Sequence, residues 1–383
     1  MDKLFPTQEV GSLAKPTWRI KSLKGEIITE ADRREAMAWG VKLELEELNK
    51  LGELLEEEDS AKKREKIVEW SALYAIKLFE ATGLDIVFDG EQWRKEMYEW
   101  VIRNVEGFNF LGFVKSFDYR YFNKAACISK PRWIKPIYLY EFLFTKKHAR
   151  KPIKIPFTGP YTLIDWSFNE HYGKALEKGS SNLRAQRFEG RKEFLFDLVK
   201  EVIRPEIKKL VKAGAGWIQL DEPAATTHPT GEEMNLFVEG FNETVAGIDC
   251  KFSLHNCYSN YGLLAQYVPA LKKCSQISLE FANRDSKRLG MNGEIRAGYE
   301  ILKLFEENGF KEKYGLGVID VHTNFVESPE LVRDRILRGA EIIGDPERVN
   351  PSTDCGLRTR SWEVSFTKLK NEVLGAELAR KEF

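Results

Sequence analysis

Short apolar runs alternate with longer amphipathic stretches along most of the chain. Eight of the short runs are rich in branched and aromatic residues and end in a polar side chain, a pattern that predicts β-strands. These runs cover residues 6–12, 84–91, 153–158, 217–222, 251–256, 276–281, 316–322 and 348–354. Apolar residues at helical spacing predict helices in the intervals, at 30–81, 188–213, 231–246, 262–273, 294–308, 329–343 and 362–378.

The alternation of strand and helix over eight units predicts an α/β fold. It is typical of a single (β/α)8 TIM barrel, which here would span residues 1–383. One interval breaks the rhythm, because residues 107–150 are rich in aromatic and basic side chains. We interpret this segment as an insertion between the second helix and the third strand. A structural role for the insertion is favoured over a role in binding a partner protein.

The composition excludes several classes of protein. Hydrophobic residues make up 43% of the 383 positions, which is enough for a large core and excludes global disorder. The 59 basic residues balance the 59 acidic ones, so no overall charge favours nucleic acid or an anionic membrane as a partner. The sequence contains no apolar run of about 18 residues, so we do not predict a membrane span. Five cysteines without a C-x-x-C pair argue against a disulfide framework, and we expect a cytoplasmic protein.

The polar residues that end the predicted strands are the candidate site. In a (β/α)8 barrel the chemistry lies at the C-terminal ends of the strands, so side chains from separate strands face one pocket. The candidates are Ser12, Glu91, Thr158, Asp221, Glu222, His255, Cys257, Glu280, His322, Asp354 and Cys355.

The pair His255 and Cys257 is the clearest local feature of this set. Residues two apart on a strand share a face, and an imidazole beside a thiolate suits zinc. Glu280 and Cys355 end two other strands, so His255, Cys257, Glu280 and Cys355 form a possible four-ligand set. The alternative is that both cysteines are ordinary packing residues. We interpret the remaining three, Cys127, Cys250 and Cys274, as structural.

The charges of this set predict its reactivity. Two thiolates and one carboxylate outweigh the charge of a zinc ion, so the cluster would be an anionic, electron-rich centre. Such a centre polarises a carbonyl poorly but can hold a substrate thiol as a nucleophilic thiolate. The pattern therefore favours alkylation of a bound thiol over hydrolysis.

Two further strand ends carry candidate chemistry. Asp221 and Glu222 could anchor the amine of a ligand, or they could be a helix cap and a first-turn acid, and the segment alone favours neither. His322 is placed to carry a proton near neutral pH. The chain has no phosphate-binding glycine loop and no G-x-S-x-G motif, so nucleotide binding and serine-hydrolase chemistry are not indicated.

Several segments together resemble the catalytic domain of the cobalamin-independent methionine synthase family. The match runs in order from about the tenth residue to near the C-terminus. It includes Glu9-Val10-Gly11-Ser12, Asp89-Gly90-Glu91, Phe157-Thr158-Gly159-Pro160, Asp165-Trp166-Ser167-Phe168, Gln219-Leu220-Asp221-Glu222-Pro223-Ala224, His255-Asn256-Cys257-Tyr258-Ser259-Asn260, Asp320-Val321-His322 and Asp354-Cys355-Gly356-Leu357-Arg358-Thr359-Arg360.

The resemblance implies a zinc-dependent methyltransferase on a (β/α)8 barrel that methylates homocysteine to methionine. It also assigns roles to individual residues. The implied zinc ligands are His255, Cys257, Glu280 and Cys355. Glu91 and Asp221 would hold the amino group of homocysteine, and the backbone around Val10 and Ser12 its carboxylate. Trp166 would stack on the pterin of the methyl donor, and His322 would help to protonate the leaving amine.

One departure from the family concerns the methyl donor. The long form of the family has a second, N-terminal barrel that helps to bind the polyglutamate tail of methyltetrahydrofolate, whereas this chain resembles the short archaeal form. A methyl-tetrahydropterin and a methylated corrinoid, with or without a donor protein, both stay open as donors, and the insertion could be adapted to one of them. Two alternatives also stay open, namely another thiol acceptor and a non-catalytic barrel with structural zinc.

Overall fold

The parallel sheet at the centre of the molecule confirms the α/β class. The computed structural model describes residues 3–115, 121–173 and 182–383. Its strands are β1 Val105–Lys115, β2 Tyr121–Trp133, β3 Ile155–Thr158, β4 Phe168–Asn169, β5 Trp217–Asp221, β6 Lys251–Asn256, β7 Cys274–Leu279, β8 Lys313–Ile319 and β9 Val349–Thr353. Six of them form one parallel sheet in the order β3-β5-β6-β7-β8-β9, and the other three form a separate sheet in the order β1-β2-β4.

The first two predicted strands, residues 6–12 and 84–91, are single bridges rather than strands. Gln8 forms parallel bridges with Ile86 and Ser352. Side chains interrupt the ladder here, because the Asp85 carboxylate accepts hydrogen bonds from the backbone N–H and the hydroxyl of Thr7, at 3.0 and 3.1 Å. Among the described residues the continuous sheet thus has six strands, not the predicted eight, and they do not form a closed barrel.

Fourteen α-helices surround the sheet in the part of the chain that the structure describes. They are α1 Thr17–Lys24, α2 Glu30–Lys42, α3 Leu48–Glu56, α4 Ala61–Thr82, α5 Met97–Ile102, α6 Leu139–His148, α7 Pro160–Asp165, α8 Leu183–Leu198, α9 Arg204–Lys212, α10 Gly231–Val245, α11 Tyr261–Leu264, α12 Leu302–Glu307, α13 Pro329–Ile343 and α14 Trp362–Arg380. None of these helices is both long enough and apolar enough to cross a membrane.

Four of the predicted helical stretches are divided. Residues 262–273 and 294–308 keep only the short helices α11 and α12, each with a separate 3-10 turn, at Val268–Ala270 and Ala297–Tyr299. Residues 30–81 form α2, α3 and α4, because the chain turns after α2 with Glu44 and Glu47 at positive φ. Residues 188–213 form α8 and α9 around a π-helical segment, Val199–Ile203. Pro205 follows this segment, and a proline lacks the N–H and displaces the carbonyl of an α-helical turn.

A layer of hydrogen-bonded polar side chains crosses the interior of the sheet. Gln276 on β7 accepts a hydrogen bond from Gln8 Nε2 at 3.2 Å and one from Asn350 Nδ2 at 2.7 Å. Lys154 Nζ donates to Gln8 Oε1 and to the Glu9 carbonyl, both at 2.8 Å. All five residues are buried. The layer therefore joins the N-terminal segment to both edges and the centre of the sheet.

The predicted insertion, residues 107–150, contains most of an antiparallel hairpin and a helix. β1 and β2 pair over nearly their whole lengths, and β4 adds to β2 in parallel. Helix α6 follows and returns the chain to β3. Residues 116–120 of the insertion lie outside the described residues. The hairpin has its own small sheet, so it is an addition to the α/β core.

Candidate metal and substrate site

Three of the four predicted ligands meet at one end of the parallel sheet. His255 lies near the end of β6, Cys257 follows that strand, and Cys355 follows β9. One ligand atom from each residue lies within 4.8 Å of the other two. The carboxyl ends of parallel strands share one edge of the sheet, which explains how residues 100 positions apart come together.

His255 is oriented for a ligand at its Nε2 atom. Its Nδ1 lies 3.1 Å from the Ser278 carbonyl oxygen, which can only accept, so Nδ1 carries the proton. Nε2 lies 3.7 Å from Cys355 Sγ. A backbone hydrogen bond of this kind fixes the ring of a metal-binding histidine.

The two thiols influence each other's pKa. The hydrogen bond from Cys257 lowers the pKa of Cys355, and the same contact, with burial, raises the pKa of Cys257 well above its ordinary value. This pair therefore favours one thiolate over two. A divalent cation would compensate the charge of a second thiolate, so the donor set fits a metal that prefers nitrogen and sulfur.

Glu280 lies behind this group, with both carboxylate oxygens engaged. Oε1 is 3.0 Å from His322 Nε2, and Oε2 accepts the backbone N–H of Tyr258 at 2.9 Å. Burial disfavours the imidazolium of His322, but the hydrogen bond to Glu280 and the negative charges of Glu280, Cys355 and Asp354 together outweigh it and raise the pKa of His322 to about 9. The Tyr258 hydroxyl lies 2.8 Å from His322 Nδ1. Glu280 as a fourth ligand stays a prediction.

Asp354 holds the loop that follows Glu280. Its carboxylate accepts hydrogen bonds from the backbone N–H groups of Phe281, Ala282 and Asn283 at 2.9, 3.0 and 2.7 Å. The acid beside Cys355 in sequence therefore positions the segment that carries Glu280.

A cavity of about 210 Å³ is lined by most of the predicted site residues, but not by Thr158, Glu222, Glu280 or Asp354. The predicted residues on its wall are Val10, Ser12, Glu91, Trp166, Asp221, His255, Cys257, His322 and Cys355. The wall also includes residues that the sequence did not indicate as site residues, among them Tyr121, Phe122, Tyr258 and Arg358. The predicted residue Thr158 is used elsewhere, because its hydroxyl donates to the Met97 carbonyl at 2.9 Å.

The two adjacent acids at the end of β5 have different environments. Asp221 faces the cavity, and burial raises its pKa to about 7. Gln219 Nε2 donates to Asp221 Oδ1 and to the Val10 carbonyl, both at 2.9 Å. Glu222 instead accepts the backbone N–H groups of Tyr161 and Thr162 at 3.0 and 2.7 Å, at the first turn of α7. Glu222 is thus not the first-turn acid of a helix that follows β5, because the next helix begins at Gly231; it caps the earlier helix α7 instead. The role of Asp221 as an anchor for a ligand amine stays a prediction.

Glu91 also lines the cavity and lies in a tightly packed turn. Its φ is +54°, and its N–H donates to Asp89 Oδ1 at 2.8 Å. A Cβ atom added at Gly11 would lie 2.7 Å from Glu91 Oε1. Position 11 therefore requires glycine as long as the Glu91 carboxylate keeps this position.

Part of the cavity wall is aromatic and includes residues of the hairpin. The ring of Trp166 stacks on Phe122 of β2 with centroids 4.9 Å apart and an interplanar angle of 25°. The ring of Tyr98 also lies beside this indole, with the two ring centroids 6.2 Å apart. The interpretation of the insertion as purely structural is therefore incomplete. The signal that could have indicated this contribution was its high aromatic content.

Comparisons with known proteins agree with this arrangement. The family model described as cobalamin-independent synthase, catalytic domain, matches residues 44–378. A methionine synthase of Thermoplasma volcanium is 39% identical over 337 residues, which cover 85% of this chain and 92% of the relative. A methionine synthase of Thermococcus kodakarensis is 36% identical over 380 residues, which cover 99% of this chain and 94% of the relative.

Solved structures show the same fold. A B12-independent methionine synthase from Shewanella sp. W3-18-1, in complex with selenomethionine, superposes with a TM-score of 0.72 over 99% of both chains, at 23% identity. A second structure, from Listeria monocytogenes, is described as a putative vitamin-B12 independent methionine synthase. It superposes with a TM-score of 0.69 at 17% identity and covers 100% of this chain and 99% of that chain. At these identities the similarity shows the fold alone.

Proposed function

We propose that this chain, which belongs to the cobalamin-independent methionine synthase family, transfers a methyl group to the thiol of homocysteine and so forms methionine. The cavity would bind the substrates of this reaction. The observation that carries the proposal is the cavity itself. Its wall includes the imidazole of His255 and the thiols of Cys257 and Cys355. The carboxylates of Glu91 and Asp221 and the ring of Trp166 also line it. The family is one of methyltransferases, which supports an enzyme rather than a non-catalytic barrel.

The proposed barrel uses the whole chain as one catalytic unit. The six-stranded sheet ends at β3 and β9. Gln8 bridges Ser352 on β9 and Ile86, and Val87 bridges Ile153 just before β3. We infer that these two segments take the places of the missing strands and close the (β/α)8 barrel, with the hairpin as an insertion.

Homocysteine matches the polar side of the cavity. In the proposal, Glu91 and Asp221 bind the ammonium group, and the backbone at Val10 and Ser12 binds the carboxylate. The thiol then points toward Cys257 and Cys355. An acceptor without an amino group leaves Glu91 and Asp221 without a cationic partner, so we expect it to bind poorly.

The proposed resident metal is zinc, held by His255, Cys257 and Cys355, with Glu280 as the fourth ligand. When bound, zinc supplies a Lewis acid that keeps the acceptor thiol deprotonated at neutral pH. The residues around it have separate roles. Ser278 orients His255, and Asp354 positions the loop after Glu280.

The donor in this proposal is a methyl-tetrahydropterin of the folate type. Membership of a cobalamin-independent family does not support the methylcorrinoid that the sequence left open. The flat ring of the donor would stack on Trp166, with its methyl group toward the acceptor sulfur. The sulfur attacks the methyl carbon, the carbon–nitrogen bond breaks, and the electron pair stays on the donor nitrogen. His322, held by Tyr258 and Glu280, supplies the proton to that nitrogen.

Metal analysis with a methyl-transfer assay tests the proposal. We expect about one zinc per chain and formation of methionine from homocysteine and methyltetrahydrofolate. Cys257→Ser and Cys355→Ser should each lower the zinc content and the activity, whereas Cys250→Ser, outside the group, should change neither. Zinc-free active protein would contradict the metal site, and failure to form methionine would contradict the proposed reaction.

The acceptor assay separates homocysteine from other thiols. Replacing homocysteine by 4-mercaptobutanoate removes the amino group and keeps the thiol and the carboxylate. We expect at least a tenfold loss of kcat/KM with this compound, because Glu91 and Asp221 then lose their partner. Equal rates with both thiols would favour a broader thiol methyltransferase.

A further inference from the structure

The hairpin that supplies Phe122 to the cavity wall also carries a cation two residues along β2, at a position that does not line the cavity. Lys124 follows two residues later on β2, and its Nζ lies 4.2 Å from the centre of the Phe168 ring. Phe168 in turn follows Trp166 by two residues. Two residues of a strand span about 7 Å. Lys124 is thus one such step along β2 from Phe122, and the ring that it contacts lies on β4, which pairs with β2 in parallel.

The ammonium group of Lys124 has no counter-ion in the part of the chain that the structure describes. Over residues 3–115, 121–173 and 182–383, no carboxylate lies within salt-bridge distance of it. The neighbouring acid, Asp165, is engaged by Arg191 Nη2 at 2.7 Å and by His228 Nε2 at 2.8 Å. Burial lowers the pKa of Lys124, which shows that its charge is partly removed from water. A partly desolvated cation of this kind gains most from an anionic ligand.

The other member of the pair is an exposed aromatic surface. Phe168 is 43% exposed, although it lies in the small sheet beside β2. An exposed phenylalanine two residues after a tryptophan of the cavity wall offers a flat contact for a second ring of a ligand. The rings of Trp166 and Phe122 in the cavity wall are therefore followed by the exposed ring of Phe168 and then by the ammonium group of Lys124.

We propose that Lys124 and Phe168 bind the aminobenzoyl-glutamate tail of the methyl donor. This inference rests on the proposed function, because it concerns the donor of that same reaction. A folate-type donor carries, in order, a pterin ring, a short linker, an aminobenzoyl ring and one or more carboxylates. With the pterin on Trp166, the second ring falls on Phe168 and the carboxylates reach Lys124. The hairpin then selects donors that have an anionic tail.

A comparison of two donors tests the tail site. One donor is 5-methyltetrahydrofolate, and the other is 5,6-dimethyltetrahydropterin, which has the same methylated ring without the tail. We expect Lys124→Gln to raise KM for 5-methyltetrahydrofolate about tenfold with kcat unchanged, and to leave KM for the tail-less donor unchanged. Lys124→Arg, which keeps the charge, should restore most of the affinity.

Arg132→Gln is the matched control. It removes one positive charge from the same strand, where Arg132 pairs with Glu106 and its side chain is largely exposed. We expect this variant to behave as the wild type with both donors. The same KM increase in Arg132→Gln would mean that net charge alone is responsible, and it would overturn the tail site. An equal effect of Lys124→Gln on both donors, or no effect, would also overturn it.

Equilibrium binding distinguishes this proposal from the proposed reaction. Tetrahydrofolate can be titrated into wild-type protein and Lys124→Gln without homocysteine, so no turnover is needed. An affinity about tenfold lower in the variant supports the tail site even if no methionine is formed, in which case the reaction alone fails. Equal affinities overturn the tail site whatever the activity.

Discussion

At the scale of single residues, Gly11 controls the position of the Glu91 carboxylate. A Cβ atom at position 11 would lie 2.7 Å from Glu91 Oε1 and 3.1 Å from Pro156 Cγ. Gly11→Ala should therefore displace the carboxylate from the cavity. We expect KM for homocysteine to rise about tenfold through loss of a charged hydrogen bond, with little change in Tm. Steady-state kinetics with varied homocysteine measures this effect.

Gly52 offers the matched control for this substitution. It lies on α3, and a Cβ atom there would meet nothing within 4 Å. Gly52→Ala should leave KM unchanged and raise the free energy of unfolding by up to about 1 kcal/mol, because alanine favours a helix. An unchanged KM in Gly11→Ala would show that Glu91 does not bind the acceptor.

Asp221 and Glu222 should respond differently to removal of their charges. Asp221→Asn should raise KM for homocysteine about tenfold and leave Tm nearly unchanged, because the acid faces the cavity. Glu222→Gln should lower the free energy of unfolding by about 1–2 kcal/mol, because its carboxylate accepts two backbone N–H groups of α7. Kinetics and thermal unfolding of both variants measure the two effects.

Each of these variants is the control for the other. If both changed KM and neither changed Tm, both acids would act on the acceptor. If Asp221→Asn lowered Tm as much as Glu222→Gln, its role would be structural.

At the scale of elements, the turn between α2 and α3 stores backbone strain. Glu44 has a φ of +53°, a conformation that disfavours side chains with a Cβ atom. Glu44→Gly should raise the free energy of unfolding by about 1 kcal/mol, as measured by chemical denaturation. Glu46→Gly is the control, since Glu46 in the same turn is exposed and not at positive φ. A gain in both variants, or in neither, would contradict the strain argument.

The same turn shows where elements were predictable from the sequence and where they were not. Helix α13 was predicted at its observed bounds, since Ser328 caps it and Pro329 begins it. The division of residues 30–81 was not, because glutamates, rather than the usual glycine, occupy the left-handed positions of the turn. Apolar spacing continues through this turn, so the pattern alone did not mark the end of a helix.

At the scale of the whole molecule, the polar layer ties the two edges of the sheet together. Gln276→Leu keeps the side-chain size but leaves Gln8 and Asn350 without a buried acceptor. We expect the free energy of unfolding to fall by about 2–5 kcal/mol, which chemical denaturation can measure. Gln266→Leu, at an exposed position, is the control and should change stability by less than about 0.5 kcal/mol. A similar small effect at Gln276 would show that the layer contributes little.

The site was predictable to the extent that it lies at strand ends. His255, Cys257, Asp221, Glu91, His322 and Cys355 all line the observed cavity, because the parallel order of the strands brings their carboxyl ends to one edge. Phe122 and Tyr121 were missed. They belong to a hairpin whose packing against Trp166 depends on contacts between segments far apart in the chain, which the local pattern does not contain.

The separate sheet of the hairpin has a consequence for how such enzymes diversify. In the proposed function, the residues for the acceptor and the metal all lie outside the hairpin, whereas Phe122 and Lys124 belong to it. Mutations in the hairpin therefore leave the acceptor half intact. Evolution can exchange this module to change which donor is used, and grafting hairpins between relatives would be a direct way to transfer donor preference.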